Sequence, residues 1–462
     1  MRAQTLISYT HVSDLSPAQV DSIIGDSGPF GVSLYSIVYS MLDHNDELDT
    51  VSGLIGYPIG QTGDVNIVVY NHGTTQGPTD APSLLGSGFS ETLAFSSFGF
   101  ATCSPDYIGL GISNSFHPYV HAETEALSGL YMIETVSQLN AAETITTLGD
   151  RLFVAGYSQG GHASMALQQL IETDFSDDYN LKGAAHGSGP FSISDVMKSL
   201  ITENEVYLPV GFVPYVILGY QEIYGDLYTD LSDIFLPAYI SDIEDFRDGN
   251  SSVTGLSLAL ATRIFVQNAG RIVPRVMLQD TIVTRLMAND PSDPLIQHLR
   301  ENDTYNFQAT APTRLYYCEA DDVVPFENSI LADSVMQELG ATDLQLVHVD
   351  PEGDHGECAI QAIPLAIQFF LDIQFSGIDE ISAPLVSKVY PNPVANYLQV
   401  ELINRDADAD IQLFDMQGRR ILHTQLISGY DEIKLSDIPV GIYTLQIMSD
   451  GVIDTRRVLK GE

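Results

Sequence analysis

The chain has 462 residues, 44% of them hydrophobic, which is too long for one compact core and sufficient for two or three structural units. With 19 basic against 61 acidic residues, its net charge of −42 excludes nucleic acid and anionic membrane surfaces as electrostatic partners and fits the solvated surface of a secreted or salt-adapted protein. No run of about twenty apolar residues exists, so no helix is expected to span a membrane, and a cysteine count of three fits either redox compartment.

The N-terminal MRAQTLISYTHV has no apolar signal core, and Ala3-Gln4 suits a start just after a cleavage site. Residues 1–60 read as mixed. Ser16 and Pro17 open a short helix as its cap and first-turn residue; polar, turn-rich segments follow; residues 51–58 form an early strand. Residues 66–70 (NIVVY) are a buried strand running into Asn71-His72-Gly73-Thr74-Thr75. Residues 98–103 form the next strand and enter Ser104-Pro105-Asp106-Tyr107. Asp106 and Tyr107 are candidates for lining a substrate pocket, with turn chemistry and a packed aromatic as the competing reading. His117, His121, Glu123 and Glu125 have loose metal-like spacing, but a solvated helix start accounts for them and no metal is assigned. Residues 123–139 read as a helix.

Residues 152–161 (LFVAGYSQGG) organise the rest. Phe153, Val154 and Ala155 close a run suited to a strand buried on both faces. Gly156-Tyr157-Ser158-Gln159-Gly160 is G-x-S-x-G, and residues 162–170 have helical composition. Strand, sharp turn with a serine at its tip, then helix is the context of a nucleophile elbow. The glycines are required because side chains flanking so tight a turn would collide. The turn lifts the Ser158 hydroxyl above the sheet and sets the Gln159 N–H at a helix N-terminus, where it can face an oxyanion.

Residues 181–190 read as a further strand and its exit, with His186 and Ser188 near a pocket mouth. Residues 191–310 break the strand–helix alternation and read as helices, with an aromatic stripe of Phe212, Tyr215, Tyr220, Tyr224 and Tyr228 suited either to gripping acyl chains or to core packing. The sheet resumes at residues 312–317 and leads to Cys318-Glu319-Ala320-Asp321-Asp322, then Val323-Val324-Pro325. Residues 344–350 form a short strand feeding a loop that carries His355 and Cys358, followed by an apolar helix to about residue 373. Serine, acid and base thus occur in the order Ser158, Asp321, His355, with Asp322 as the alternative acid. A serine hydroxyl is barely ionised at neutral pH, so a histidine must take its proton and a carboxylate must orient that histidine. Cys318 lies three residues before Asp321, and Cys358 three after His355. A disulfide between them is expected, closing a loop worth about 3–4 kcal/mol in the chain-entropy model; the alternative is two buried thiols in a reduced protein. Cys103 stays free in both cases.

The segments VYNHGT, CSPDYIGLG, GYSQGGHA, CEADDVVP and DHGECA, with the helical insertion, together resemble secretory-lipase-type α/β hydrolases over roughly residues 50–375. The resemblance implies a mostly parallel sheet with helices on both faces, a helical cap at 191–310, and hydrolysis of carboxylic esters without metal or cofactor. It assigns Ser158, Asp321 and His355 as the triad. It gives the oxyanion donors as the N–H groups of Gln159 and of Thr74, the residue after the His-Gly pair, with Thr75 as second choice. Cys318 stands where the family pattern has glycine. His72 is read as structural.

The last segment reads as an independent module: a linker at 381–388, then short alternating strands separated by turns such as Met416-Gln417-Gly418 and Ser449-Asp450-Gly451. This predicts a small antiparallel β-sandwich at 389–462. YPNP, FDMQGRR, LSDIPVGIY and the basic end at Arg456, Arg457 and Lys460 resemble the sorting domain read by the type IX secretion system. That resemblance implies export across an outer membrane, with the secretion machinery as partner; a carbohydrate-binding or packing domain is the alternative. The whole reads as a catalytic region at 1–380 and a sorting domain, secreted or cell-surface attached, hydrolysing small-molecule or lipid esters. A peptidase or amidase on the same fold and an inactive hydrolase-fold adhesin are the competing functions.

Overall fold

The computed structural model describes residues 5–25, 27–45, 47–376, 386–392, 394–402, 409–414, 419–426, 430–436, 438–439, 441–449 and 452–461. The Ala3-Gln4 start, most of the expected linker and the turn at 416–418 lie outside them. The chain divides into two compact units, Met1–Ile373 and Gln374–Glu462.

The first unit opens with β1 (Leu6–Leu15), α1 (Pro17–Ile24), β2 (Gly31–Leu42) and β3 (Leu48–Ile59). Ser16 and Gln19 form a reciprocal capping box at the start of α1, with Pro17 in its first turn. β1 and β2 correct the expectation of turn-rich segments here. Their serines read as turn formers, yet β2 pairs antiparallel with β3 over its whole length, from Gly31 opposite Ile59 to Leu42 opposite Leu48. Then follow β4 (Val65–Asn71), α2 (Phe89–Ser97), β5 (Ala101–Pro105), α3 (Ala122–Glu143), β6 (Leu148–Tyr157), α4 (Gln159–Asp174) and β7 (Asn180–Gly187). The insertion contributes α5 (Lys198–Thr202), α6 (Phe212–Tyr224), α7 (Pro237–Arg247), α8 (Val253–Gln267), α9 (Asp280–Ala288) and α10 (Pro294–Glu301). β8 (Thr313–Cys318), α11 (Glu327–Glu338), β9 (Leu344–Asp350) and α12 (His355–Ser376) complete the unit.

These strands form one nine-stranded sheet in the order β1-β2-β3-β5-β4-β6-β7-β8-β9. It is parallel from β5 onward and antiparallel at the β1–β3 edge. Both faces are covered, so the inner strands bury apolar residues on either side. Ile67, Val69 and Val154 pack with Ala126, Leu130 and Leu167 of α3 and α4, while Val68, Tyr70 and Phe153 pack with Phe95 of α2 and Phe370 of α12. The insertion has its own core, built from residues such as Tyr220, Phe235, Ile243, Leu256 and Leu299. This is an α/β hydrolase fold with a helical insertion between β7 and β8.

By length and composition alone, α12 is apolar enough to cross a membrane, with a mean hydropathy of 1.5 in an 18-residue window, which corrects the expectation that no helix would qualify. Cys358, Ala362, Ala366 and Phe370 nevertheless bury one side of it against the sheet. The second unit pairs β10 (Val386–Tyr390), β11 (Tyr397–Leu402) and β14 (Tyr430–Lys434) in one antiparallel sheet. The other sheet contains β12 (Ala409–Phe414), β13 (Arg420–Leu426), β15 (Gly441–Ser449) and β16 (Val452–Lys460). Leu398 and Val400 meet Ile411, Leu413, Leu445 and Ile447 in a shared core, as in a β-sandwich. β10 begins inside the stretch expected as linker, because Val386 already pairs with Leu402.

Candidate active site

At the end of β6 the backbone reverses at Ser158, which sits at φ 61° and ψ −126°. A non-glycine residue at positive φ is strained and marks a constrained site. The flanking glycines permit it. A Cβ on Gly156 would stand 1.9 Å from the Gly160 carbonyl oxygen, and one on Gly160 would stand 1.9 Å from that of Asn71. Neither contact is possible, so the motif's glycines are steric requirements of the turn.

The loop after β9 brings His355 over this serine. Its Nε2 lies 2.9 Å from Ser158 Oγ, and its Nδ1 lies 2.9 Å and 2.8 Å from Asp321 Oδ1 and Oδ2. The Asp321 side chain is 1% exposed and His355 16%. Asp321 is held from behind, its Oδ1 accepting from the N–H groups of Val323 and Val324 at 3.0 and 2.9 Å. Asp322 has a different part, accepting from the His355 backbone N–H at 3.3 Å. The Tyr157 hydroxyl donates to the His355 carbonyl at 2.7 Å and fixes that loop. Cys318 and Cys358 are disulfide-bonded with Cα atoms 5.9 Å apart, and Cys103 is free and buried.

Gln159 occupies the first position of α4, where backbone N–H groups have no partner within the helix. The loop after β4 stands against the elbow: a Cβ on Gly73 would lie 3.6 Å from Ser158 Cβ. Thr74 follows, its hydroxyl 2.8 Å from that of Tyr119. His72 is fully buried, with Nδ1 2.7 Å from the Gly73 carbonyl oxygen.

Asp106 and Tyr107 do not line the pocket. Asp106 is fully buried and accepts from the Ser83 N–H at 2.8 Å and from the hydroxyls of Ser52 and Ser83; burial raises its carboxyl above the ordinary range. Tyr107 donates to the His72 carbonyl at 3.1 Å, and its ring packs on His72 at 4.3 Å. Both brace the loops beneath the elbow. The solvated-helix reading of His117, His121 and Glu125 is also corrected, because all three are buried. Glu123 alone of that group is exposed. His186 turns into the core, its ring nitrogens 2.7 Å from Ser164 Oγ and from Gln168 Oε1.

Ser158 opens onto a cavity whose walls are almost wholly apolar. Leu200, Val216, Ile282, Leu286, Leu299 and Val324 line it among others. Of the aromatic stripe, Phe212 faces the cavity, whereas Tyr215 and Tyr220 are buried in the insertion's own core. The aliphatic residues that make the wall were not singled out in the sequence. Their helical spacing is that of any packed helix, and only the tertiary fold turns them toward Ser158.

No curated protein matches the chain. Among solved structures, a putative hydrolase from Legionella pneumophila is 24% identical with a TM-score of 0.71, covering 81% of this chain and all 100% of its own. The rice cell wall degrading esterase LipA from Xanthomonas oryzae, in a ligand-bound form, is 21% identical with a TM-score of 0.68, over 80% of this chain and 98% of its own. Candida antarctica lipase A is 14% identical with a TM-score of 0.63, over 82% and 83%. At these identities the likeness is one of fold. Family models assign more: the secretion system C-terminal sorting domain matches residues 388–460, and the secretory lipase model matches residues 92–382. The sorting domain marks the protein for type IX secretion to the cell surface or beyond, and through its catalytic unit the chain belongs to the secretory lipase family, a carboxylic ester hydrolase.

Proposed function

We propose that the protein cleaves acyl esters through Ser158, His355 and Asp321 and a covalent acyl-enzyme. Ser158 Oγ adds to the ester carbonyl carbon while its proton passes to His355 Nε2. The carbonyl electrons move onto oxygen, where the N–H groups of Gln159 and Thr74 receive the charge, each donor worth roughly 3 kcal/mol. As the tetrahedral species collapses, the C–O bond to the alcohol breaks and His355 hands its proton to the departing oxygen. Water then adds to the acyl-Ser158 ester, with His355 again taking and returning the proton, and the carboxylic acid leaves. Asp321 keeps the Nδ1–H of His355 oriented and offsets the imidazolium charge. No step calls for a metal or cofactor.

The observation that carries this reading is His355 lying 2.9 Å from Ser158 Oγ and 2.8 Å from Asp321, beside an almost wholly apolar cavity. Such a wall solvates an acyl chain and offers little to a peptide backbone. The C-terminal unit is read as the part engaged by the secretion machinery. The test is hydrolysis of p-nitrophenyl esters from acetate to palmitate by the wild type and by Ser158→Ala. Loss in the variant supports the triad, and the chain-length profile separates esterase from lipase. Cleavage of aminoacyl anilides alone favours a peptidase, and no activity with no fluorophosphonate labelling favours an inactive adhesin.

A further inference from the structure

Gln159 is held at both of its amide hydrogens. Its Nε2 donates to Glu125 Oε1 at 2.7 Å and to His117 Nε2 at 2.8 Å. The His117 ring is fixed as an acceptor there: Nδ1 lies 2.7 Å from the Ile108 carbonyl oxygen and must donate to it. Burial pushes the His117 pKa down to about 3, so Nε2 keeps its lone pair for the amide. Glu125 is 1% exposed. Its second oxygen lies 2.8 Å from His162 Nδ1, and His162 Nε2 lies 2.9 Å from the Asn302 carbonyl oxygen. Asn302 carries the chain onto the insertion, its Nδ2 donating to the Tyr224 hydroxyl at 3.0 Å and the His298 carbonyl at 2.8 Å. Its Oδ1 accepts from the Ala122 N–H at 2.7 Å, at the start of α3.

A buried carboxylate with histidines around it adds little net stability over a well-packed apolar core. Both Glu125 oxygens and all four ring nitrogens of His117 and His162 are paired, and the cluster ends on the side chain of the residue that follows Ser158. We propose that Glu125 is a positioning residue for ester hydrolysis: by clamping the Gln159 amide it sets the tilt of the Ser158–Gln159 peptide, and so the direction in which the Gln159 N–H meets the oxyanion. The inference rests on the serine-hydrolase reading above and extends it to a side chain outside the triad. An oxyanion donor works only when aimed at the place the charge will occupy, and losing one entirely costs about 100- to 1,000-fold in rate.

The test compares full-length wild type with Glu125→Ala, Glu125→Gln and Gln159→Met, with sites counted by fluorophosphonate titration. Glu125→Ala and Gln159→Met are expected to lower kcat per titrated site about 10- to 100-fold, with KM within threefold. The inhibition constant of an alkyl trifluoromethyl ketone, which forms a tetrahedral oxyanion adduct, rises by the same factor as kcat/KM falls. Glu125→Gln keeps an acceptor oxygen for the Gln159 amide and stays within threefold of wild type. If Glu125→Ala does not fold, Gln159→Met decides alone, because it leaves the Glu125–His162 pair intact. Per-site kcat within twofold of wild type, with only the melting temperature lowered, overturns the proposal. A wild type inert to esters and to fluorophosphonate sinks the serine-hydrolase reading instead, and this one with it.

Discussion

Cys318 and Cys358 are bonded to each other across the two loops that carry Asp321 and His355, a sequence separation of 40 residues. The bridge closes the chain between acid and base and therefore acts on stability and on geometry together. Cys318→Ala with Cys358→Ala is expected to cost about 4 kcal/mol in the chain-entropy model. In the folded fraction kcat should also fall severalfold, because the His355 loop gains freedom. Denaturant unfolding and titrated-site kinetics check both; unchanged stability would show the loops to be held by packing alone.

The three side chains at the elbow should fail unequally. Ser158→Ala and His355→Ala are expected to lower kcat by about a million-fold, and Asp321→Asn by about ten-thousand-fold through the wrong imidazole tautomer. Asp322→Asn keeps an acceptor for the His355 N–H and should change kcat less than tenfold. If Asp322→Asn proved as damaging as Asp321→Asn, the acid would be misassigned.

Chain-length preference should be set from the insertion. Val216 of α6 lines the cavity. Val216→Trp fills part of it, and each methylene that no longer fits loses about 0.8 kcal/mol. Palmitate hydrolysis is expected to drop at least tenfold relative to acetate, read as the ratio of kcat/KM values. Equal effects on both esters would mean that the acyl chain lies elsewhere.

Acid should destabilise the catalytic unit well before carboxylates titrate. Burial lowers the pKa values of His117, His121 and His186 from 6.5 to about 3. The unfolded chain therefore binds protons below pH 6.5 that the native state refuses until about pH 3, and stability falls as pH falls through that window. At pH 5 each histidine costs about 2 kcal/mol relative to neutral pH. Glu91, Asp106 and Asp303, raised by burial, act in the opposite sense as they become protonated. Melting temperature should drop from pH 7 to pH 5 with a net uptake of protons on unfolding; a flat profile would contradict it.

The elbow was legible in the sequence because its requirement is local: Gly156 and Gly160 are forced by backbone atoms within a few ångströms. Residue order pointed to Asp321 and His355, and the apolar runs of the parallel strands carried the sheet. β1 and β2 were missed because β1 is almost entirely exposed and so has no buried face to impose a pattern, while serines interrupt β2. The cavity wall and the Glu125–Gln159 clamp were missed for another reason. Their partners lie 34 or more positions apart in the chain, and no local periodicity distinguishes a buried glutamate from a solvated one.

Chemistry and foldability part company within the five residues of the elbow. Ser158 already bears a Cβ, so exchanging it for alanine removes an oxygen and nothing else. Any side chain at Gly156 or Gly160 drives into main-chain atoms. Substitutions at 156, 158 and 160 should therefore sort into two populations by export alone: dead variants that are still exported and dead variants that never leave the cell. The first kind, typified by Ser158→Ala, retains the cavity without turnover and would serve as bait for whichever ester this organism meets outside its envelope.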